Sequence, residues 1–170
     1  AIPLNALPFR MPVQDIYKLD ERRIIAGTPE SGSLSVGDSI VFYPSGKKSV
    51  VKTFETFNKT PPQTLQAGYA SSITLTEQIY VQRGEIMAKV GEPRPNVATR
   101  LQVNLFWLGK DPLELDKSYL LRLGTNRVKI NVEAILKGMD VASLDPPIQL
   151  THVKCYEVAE CILRLQNPIA

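Results

Sequence analysis

Six letters near the start of the chain, Gly27-Thr28-Pro29-Glu30-Ser31-Gly32, carry the G-x-x-x-x-G spacing of a loop that cradles phosphates. A working loop of that kind comes after a strand, continues with Lys and then Ser or Thr, and opens a helix. The lysine reaches the outer phosphates, the hydroxyl holds magnesium, and the helix N-terminus offers its N–H groups. Here Ser33 and Leu34 come after Gly32, and no lysine stands there. Glu30 would set a carboxylate against the phosphates, and Pro29 has no N–H to donate. The next residues, LSVGDSIVF, are patterned as a strand rather than a helix. The sequence therefore predicts a turn between strands and no nucleotide site, with Gly32 and Gly37 supplying positive φ or tight turns.

The other reactive residue types are equally sparse. His152 is the only histidine, and Cys155 stands three residues on. In a strand that odd spacing sends the two side chains to opposite faces, which argues against a nucleophilic dyad. Cys155 and Cys161 are the only cysteines and lack the further ligands of a zinc site. They are expected to be reduced and buried, in a cytoplasmic compartment. Asp15 and Asp20 have no apolar pocket to raise a carboxyl pKa, nor has the grouping Asp111, Glu114 and Asp116. The latter also lacks the glycine and terminal glutamate of a calcium loop. No catalytic, cofactor-binding or metal-binding residue is expected, and no cofactor.

Three residues are candidates for contact with a partner: Arg22, Arg23 and Trp107. The arginines, like Lys47 and Lys48, could touch phosphate, although keeping strand edges soluble is a simpler role for such charges. Phe106 and Trp107 are adjacent in a predicted strand, so one ring faces inward and the other outward. The outward ring is a candidate interface anchor; packing against the other barrel is the alternative.

The elements that must position these residues are short and alternating, the pattern of an all-β chain. Strands are expected over Phe9–Tyr17, Arg23–Ala26, Asp38–Pro44, Ser49–Phe57, Tyr69–Leu75 and Glu85–Val90, with Ser45-Gly46-Lys47 as a hairpin turn. Starts recur at roughly the 8–12-residue spacing of a small barrel or sandwich. Gly91-Glu92-Pro93-Arg94-Pro95 then interrupts the pattern, because two close prolines do not continue a central strand. Strands restart at Thr99–Leu108, Ser118–Leu123, Arg127–Leu136, His152–Tyr156 and Glu160–Leu165. The expectation is two small β-barrels in tandem, at 1–91 and 92–170, joined by a junction too short to be a floppy tether. The one helical turn expected lies near Leu144–Leu150, kept short by Pro146-Pro147.

Composition agrees with this restraint. Of 170 residues, 44% are hydrophobic and 22% charged, an ordinary globular balance. The net charge of +3 is weak, and basic residues gather only in pairs. A nucleic-acid surface needs clustered Lys and Arg, so nucleic acid is not an expected partner. No apolar run approaches the ~20 residues that span a bilayer, so a membrane is not expected either. No charged segment leading into an apolar one opens the chain as a signal peptide would. It begins at Ala1 rather than Met, which leads us to expect a piece of something longer.

The first half resembles the second domain of the translation-factor GTPases. The resemblance rests on Gly27, Gly32, Leu34, Gly37 and Asp38, and on the closing Arg83-Gly84-Glu85-Ile86-Met87. Pro29 departs from that pattern and puts strand continuity there in question. The second half is similar to the third domain of the GTP-binding large subunit of sulfate adenylyltransferases. It matches at Phe106-Trp107, Asp111-Pro112-Leu113, Lys117 to Leu121, Leu123-Gly124-Thr125, Val132, Ile135 and Asp140 to Leu144. The last strands, Tyr156–Ala170, continue the likeness, with Ala159 where that subunit often has Gly.

The resemblance implies two barrels without the GTPase domain that would hold GTP and Mg2+. It also implies a parent that drives synthesis of adenosine 5′-phosphosulfate from ATP and sulfate, with adenylyl transfer on a separate small catalytic subunit. The expected partners are the parent's own GTPase domain and that small subunit, and the fragment itself is not expected to be an enzyme. Two other readings stay open: barrels of a translation elongation or release factor that bind tRNA or the ribosome, and an unrelated β-barrel binding module.

Overall fold

A computed structural model describes residues 3–56, 60–136 and 149–170. After a single 3-10 turn at Leu4–Ala6, every regular element among the described residues is a strand. Contacts group Ala1–Val97, with Leu123–Asn126 and Ile169–Ala170, as one unit, and Ala98–Arg122 with Arg127–Pro168 as another.

The first unit is built from β1 (Met11–Leu19), β2 (Arg22–Gly27), β3 (Ser33–Ser35), β4 (Ser39–Tyr43), β5 (Lys48–Glu55), β6 (Thr64–Gln66), β7 (Ser71–Leu75) and β8 (Ile86–Lys89). Six of them close into a barrel in the order β1-β2-β7-β5-β4-β8, and β3 pairs with β6 beside it. Closure leaves no free edge in the ring. It is made by β1, which pairs with β8 at Met11↔Met87 and with β2 from Val13↔Gly27 onward. A register shift between Val13 and Asp15 lets one strand serve both neighbours. The inward set read from alternation, Phe9, Met11 and Val13, is fully buried. It packs with Ile40, Phe42, Phe54, Ile73 and Met87 in one core. Each such side chain contributes about 1.5–3 kcal/mol by leaving water.

The second unit holds β9 (Ala98–Phe106), β10 (Leu113–Glu114), β11 (Ser118–Leu123), β12 (Asn126–Leu136), β13 (Gln149–Leu150), β14 (His152–Val153) and β15 (Val158–Ile169). Its main sheet runs β11-β12-β15-β9, with β13 on β12, and β10 pairs with β14. Val128, Ile130 and Val132 alternate inward along β12 and meet a matching series on β15, with Ile130↔Leu165 and Val132↔Leu163 in register. The all-β expectation stands. The helical turn expected near Leu144–Leu150 falls mostly outside the described residues, and Gln149–Leu150 are strand.

Candidate functional site

The loop with phosphate-like spacing is occupied by its own protein. Glu30 N donates to Arg10 O and Gly32 N to Leu4 O, each at 2.8 Å, and Ser31 bridges Arg10. Pro29 has no N–H, and its carbonyl accepts from Gly68 N at 2.8 Å. Gly32 sits at φ +71°, where a Cβ would stand 2.5 Å from the Phe9 backbone. The glycine is there for close packing against the chain's first residues. With its donors turned inward and no lysine beside them, this loop does not fit the phosphates of GTP or the Mg2+ that accompanies them. Pro29 ends β2's continuity as its departure from the pattern suggested: β2 stops at Gly27 and β3 starts at Ser33.

The other motif residues shape turns. Gly37 N bonds Val51 O at 2.9 Å, and Asp38 Oδ2 takes both Ser35 N (2.8 Å) and the Lys89 ammonium (2.9 Å). Glu85 is buried, yet its carboxylate accepts from Gln82 N at 2.7 Å and Ser45 N at 3.3 Å. One carboxylate therefore ties the turn before β8 to the hairpin after β4, which a buried charge requires. At the proline-rich junction, Glu92 Oε2 accepts from Phe9 N at 2.6 Å, and Pro93 O accepts from the Arg10 guanidinium.

Among the candidates for partner contact, Arg22 bonds Glu55 at 3.1 Å and lies 3.8 Å from Asp20. The Arg23 guanidinium lies 4.2 Å over the Tyr80 ring and donates to Ile79 O. Trp107 is half-buried, donates from Nε1 to Asp111 O at 2.7 Å, and meets Tyr119 edge-on at 5.7 Å. Gly109 lies so close beneath its indole that a Cβ there would come within 2.5 Å. Trp107 thus organises the loop from β9 to β10. Its neighbour Phe106 is the outward ring of the pair.

Two groupings expected to carry no chemistry have structural partners instead. The His152 ring faces Thr151 Oγ1 at 3.1 Å, while Cys155 Sγ leans toward Leu108 O at 3.8 Å. Cys161 is buried, and desolvation, helped by the Glu160 charge, pushes its thiol pKa up. On the sheet's other face, Glu133 takes hydrogen bonds from Arg100 (2.6 Å) and then Arg164 (2.9 Å), which hold its carboxyl below the usual range. No group of three or more His, Cys, Asp or Glu among the described residues could hold a metal ion. No helix there is long and apolar enough to cross a membrane.

The feature the sequence did not single out is an apolar patch on the second unit. Phe106, Leu108, Tyr156 and Val158 are 55%, 65%, 74% and 72% exposed. The two segments are hydrogen-bonded to each other, Trp107 N to Glu157 O at 3.0 Å and Tyr156 N to Trp107 O at 2.7 Å. Phe106 and Tyr156 have ring centroids 6.3 Å apart. Sequence alternation correctly put one ring of the 106–107 pair outside; it held nothing to say that the turn before β15 would bring Tyr156 beside it.

No family model matches the chain. It is 37% identical over 142 residues to sulfate adenylyltransferase subunit 1 of Shewanella oneidensis, covering 83% of this chain and 29% of that protein. It is 35% identical over 170 residues to the same subunit of Chromobacterium violaceum, covering 99% of this chain and 35% of that protein. A bifunctional enzyme NodQ from Rhizobium sp. strain BR816 is 32% identical over 168 residues, 98% of this chain and 26% of its own length. Among solved structures, Sup35 complexed with GMPPNP superposes with a TM-score of 0.81 at 19% identity, over 98% of this chain and 41% of that one. Sup35 complexed with GDP gives 0.79 at 20%. These structures share the fold. The chain spans about a third of the length of the curated relatives it matches.

Proposed function

The chain is related over nearly its whole length to sulfate adenylyltransferase subunit 1, of which it spans about a third, and from that premise we propose that it is the non-catalytic β-barrel part of such a subunit. In this reading the parent is a GTP-binding regulatory subunit in the cytoplasm. It promotes formation of adenosine 5′-phosphosulfate from ATP and sulfate on a small catalytic subunit. The barrels hold GTP nowhere themselves; they dock the GTPase domain and the small subunit.

The observation that carries the reading is the 35% identity along 170 residues. Two physical features support it. The glycine-rich loop turns its N–H groups inward, and the motif carboxylates Asp38 and Glu85 are consumed in turns. Both leave a scaffold rather than a reaction centre.

The test is a reconstituted assay. The full-length polypeptide with the small catalytic subunit should form adenosine 5′-phosphosulfate in a GTP-dependent way. Excising the stretch that corresponds to 1–170 should abolish that dependence. Sulfate activation whose response to GTP is unchanged without the stretch would contradict the proposal.

A further inference from the structure

We propose that Arg122, Arg127 and Lys129, gathered around Leu120 on the outer face of the β11–β12 hairpin, dock an acidic segment of a partner protein that carries an apolar side chain between its carboxylates. The inference stands on the second unit alone and does not depend on the function proposed above.

In the sequence these cations stand singly; the hairpin brings them onto one face. Val128, Ile130 and Val132 turn inward along β12, so Arg127 and Lys129 turn outward. β11 is hydrogen-bonded to β12, and only Gly124-Thr125 separates the two strands. A two-residue connection sets Leu123 opposite Asn126. Arg122 then stands across from Arg127, and Leu120 across from Lys129. The Ser118 hydroxyl donates to Asn131 Oδ1 at 3.4 Å, on that same register. Side chains across such a pair stand about 5 Å apart, and alternate ones along a strand about 7 Å. All four are exposed, Leu120 at 55%.

The fold supplies this face with no counter-charge. From Ser118 to Val132 the chain holds these three cations and no carboxylate. None of the three is in an ion pair among the described residues. The four strands of the sheet carry two carboxylates, and both are taken. Glu133 holds Arg100 at 2.6 Å and Arg164 at 2.9 Å, and Glu160 accepts from Gln102. Asp116 lies four residues before Leu120, on the order of 13 Å of extended chain. That exceeds the ~8 Å over which charges act at physiological salt. Arg122 opposite Arg127 is a like-charge pair, which costs the fold stability. Cations kept in that arrangement around an exposed leucine are complementary to carboxylates brought from outside. A second copy docked through the same face would set cations against cations. A phosphate backbone would give Leu120 nothing apolar to meet, and it draws its affinity from many phosphate contacts.

The experiment titrates a fluorescein-labelled peptide, Glu-Glu-Leu-Glu-Glu, with the full-length polypeptide at low salt and reads anisotropy. The polypeptide is used unaltered and with Arg127→Glu, Lys129→Glu or Leu120→Ser. A Gln-Gln-Leu-Gln-Gln peptide and a five-residue oligouridylate are titrated in parallel. The acidic peptide should bind saturably, the glutamine peptide and the oligonucleotide much more weakly. Either charge reversal should weaken binding roughly tenfold or more, and Leu120→Ser severalfold. Salt at roughly 0.5 M should remove most of it. Arg127→Glu separates docking from folding, because it replaces the like-charge pair with an opposite-charge one. Its melting temperature should stay unchanged or rise. A clear fall in melting temperature would mean that the cation serves the fold, and would overturn the inference. So would the absence of saturable peptide binding, or binding that both reversals leave unchanged. Tighter binding of the oligonucleotide than of the acidic peptide, lost on the same reversals, would overturn it in favour of nucleic acid.

Discussion

At the scale of single residues, two glycines separate strain from space. Gly32 and Gly37 both have positive φ, but a Cβ on Gly32 would meet the Phe9 backbone at 2.5 Å, while one on Gly37 meets nothing within 4 Å. Gly37→Ala should therefore cost only the conformational term, about 1 kcal/mol. Gly32→Ala should cost at least twice that, because backbone cannot step aside as a side chain can. Urea midpoints of the two variants check the order; equal losses would contradict it.

Cys161 offers a second residue-scale test. Its folded pKa is raised, so the folded state holds the thiol proton more firmly than the unfolded one. The stability it contributes is complete below the unfolded thiol pKa of about 8.5 and is lost as pH rises through the folded value. Cys161→Ser should lessen the fall in stability above that pH, as read from denaturation at pH 7 and pH 10. A thiol reagent at neutral pH should label the half-buried Cys155 and reach Cys161 only on unfolding.

At the scale of elements, the turns are held by carboxylates that the sequence showed only as letters of a motif. Glu85→Ala would leave Gln82 N and Ser45 N without their acceptor. The expected loss is about 2–4 kcal/mol, with Glu85→Gln milder because one acceptor oxygen remains. Thermal melts of the two variants against the unaltered chain measure it. The glycine-rich loop gives the sharper functional test. Because Glu30 N and Gly32 N already bond Arg10 O and Leu4 O, calorimetry with GTP and Mg2+ should detect nothing tighter than about 1 mM, a binding free energy of about −4 kcal/mol. A micromolar site on this chain would contradict the scaffold reading.

The same scale shows what was legible in the sequence. Alternation placed the long strands within a few residues of β1, β4, β5, β9, β11 and β12, because each buries one face along its length. The short pairs escaped it. β3 and β6 are three residues each, and β10 and β13 are two, whereas β14 (His152–Val153) is the start of the strand expected over His152–Tyr156. Nothing so brief carries a period, and their pairing depends on neighbours distant in sequence. Trp107 was marked as a candidate by its type, while its place against Gly109 and Asp111 came from a loop no pattern predicts. The patch escaped for the same reason, since it joins residues about fifty positions apart.

At the scale of the molecule, the chain divides its work between a closed barrel with a continuous core and a second unit that leaves aromatic surface uncovered. Its basic residues are dispersed and several are already engaged by Glu55, Glu133 and Tyr80. That arrangement suits a protein partner more than a phosphate backbone, which needs many free cations at once. The most direct test is light scattering of the full-length polypeptide with the small catalytic subunit, alongside a tRNA titration at the same physiological salt. The proposed function predicts a complex whose mass is a whole-number combination of the two proteins, and no saturable tRNA binding. Tight, saturable tRNA binding with no protein complex would contradict it and turn the reading toward a translation factor.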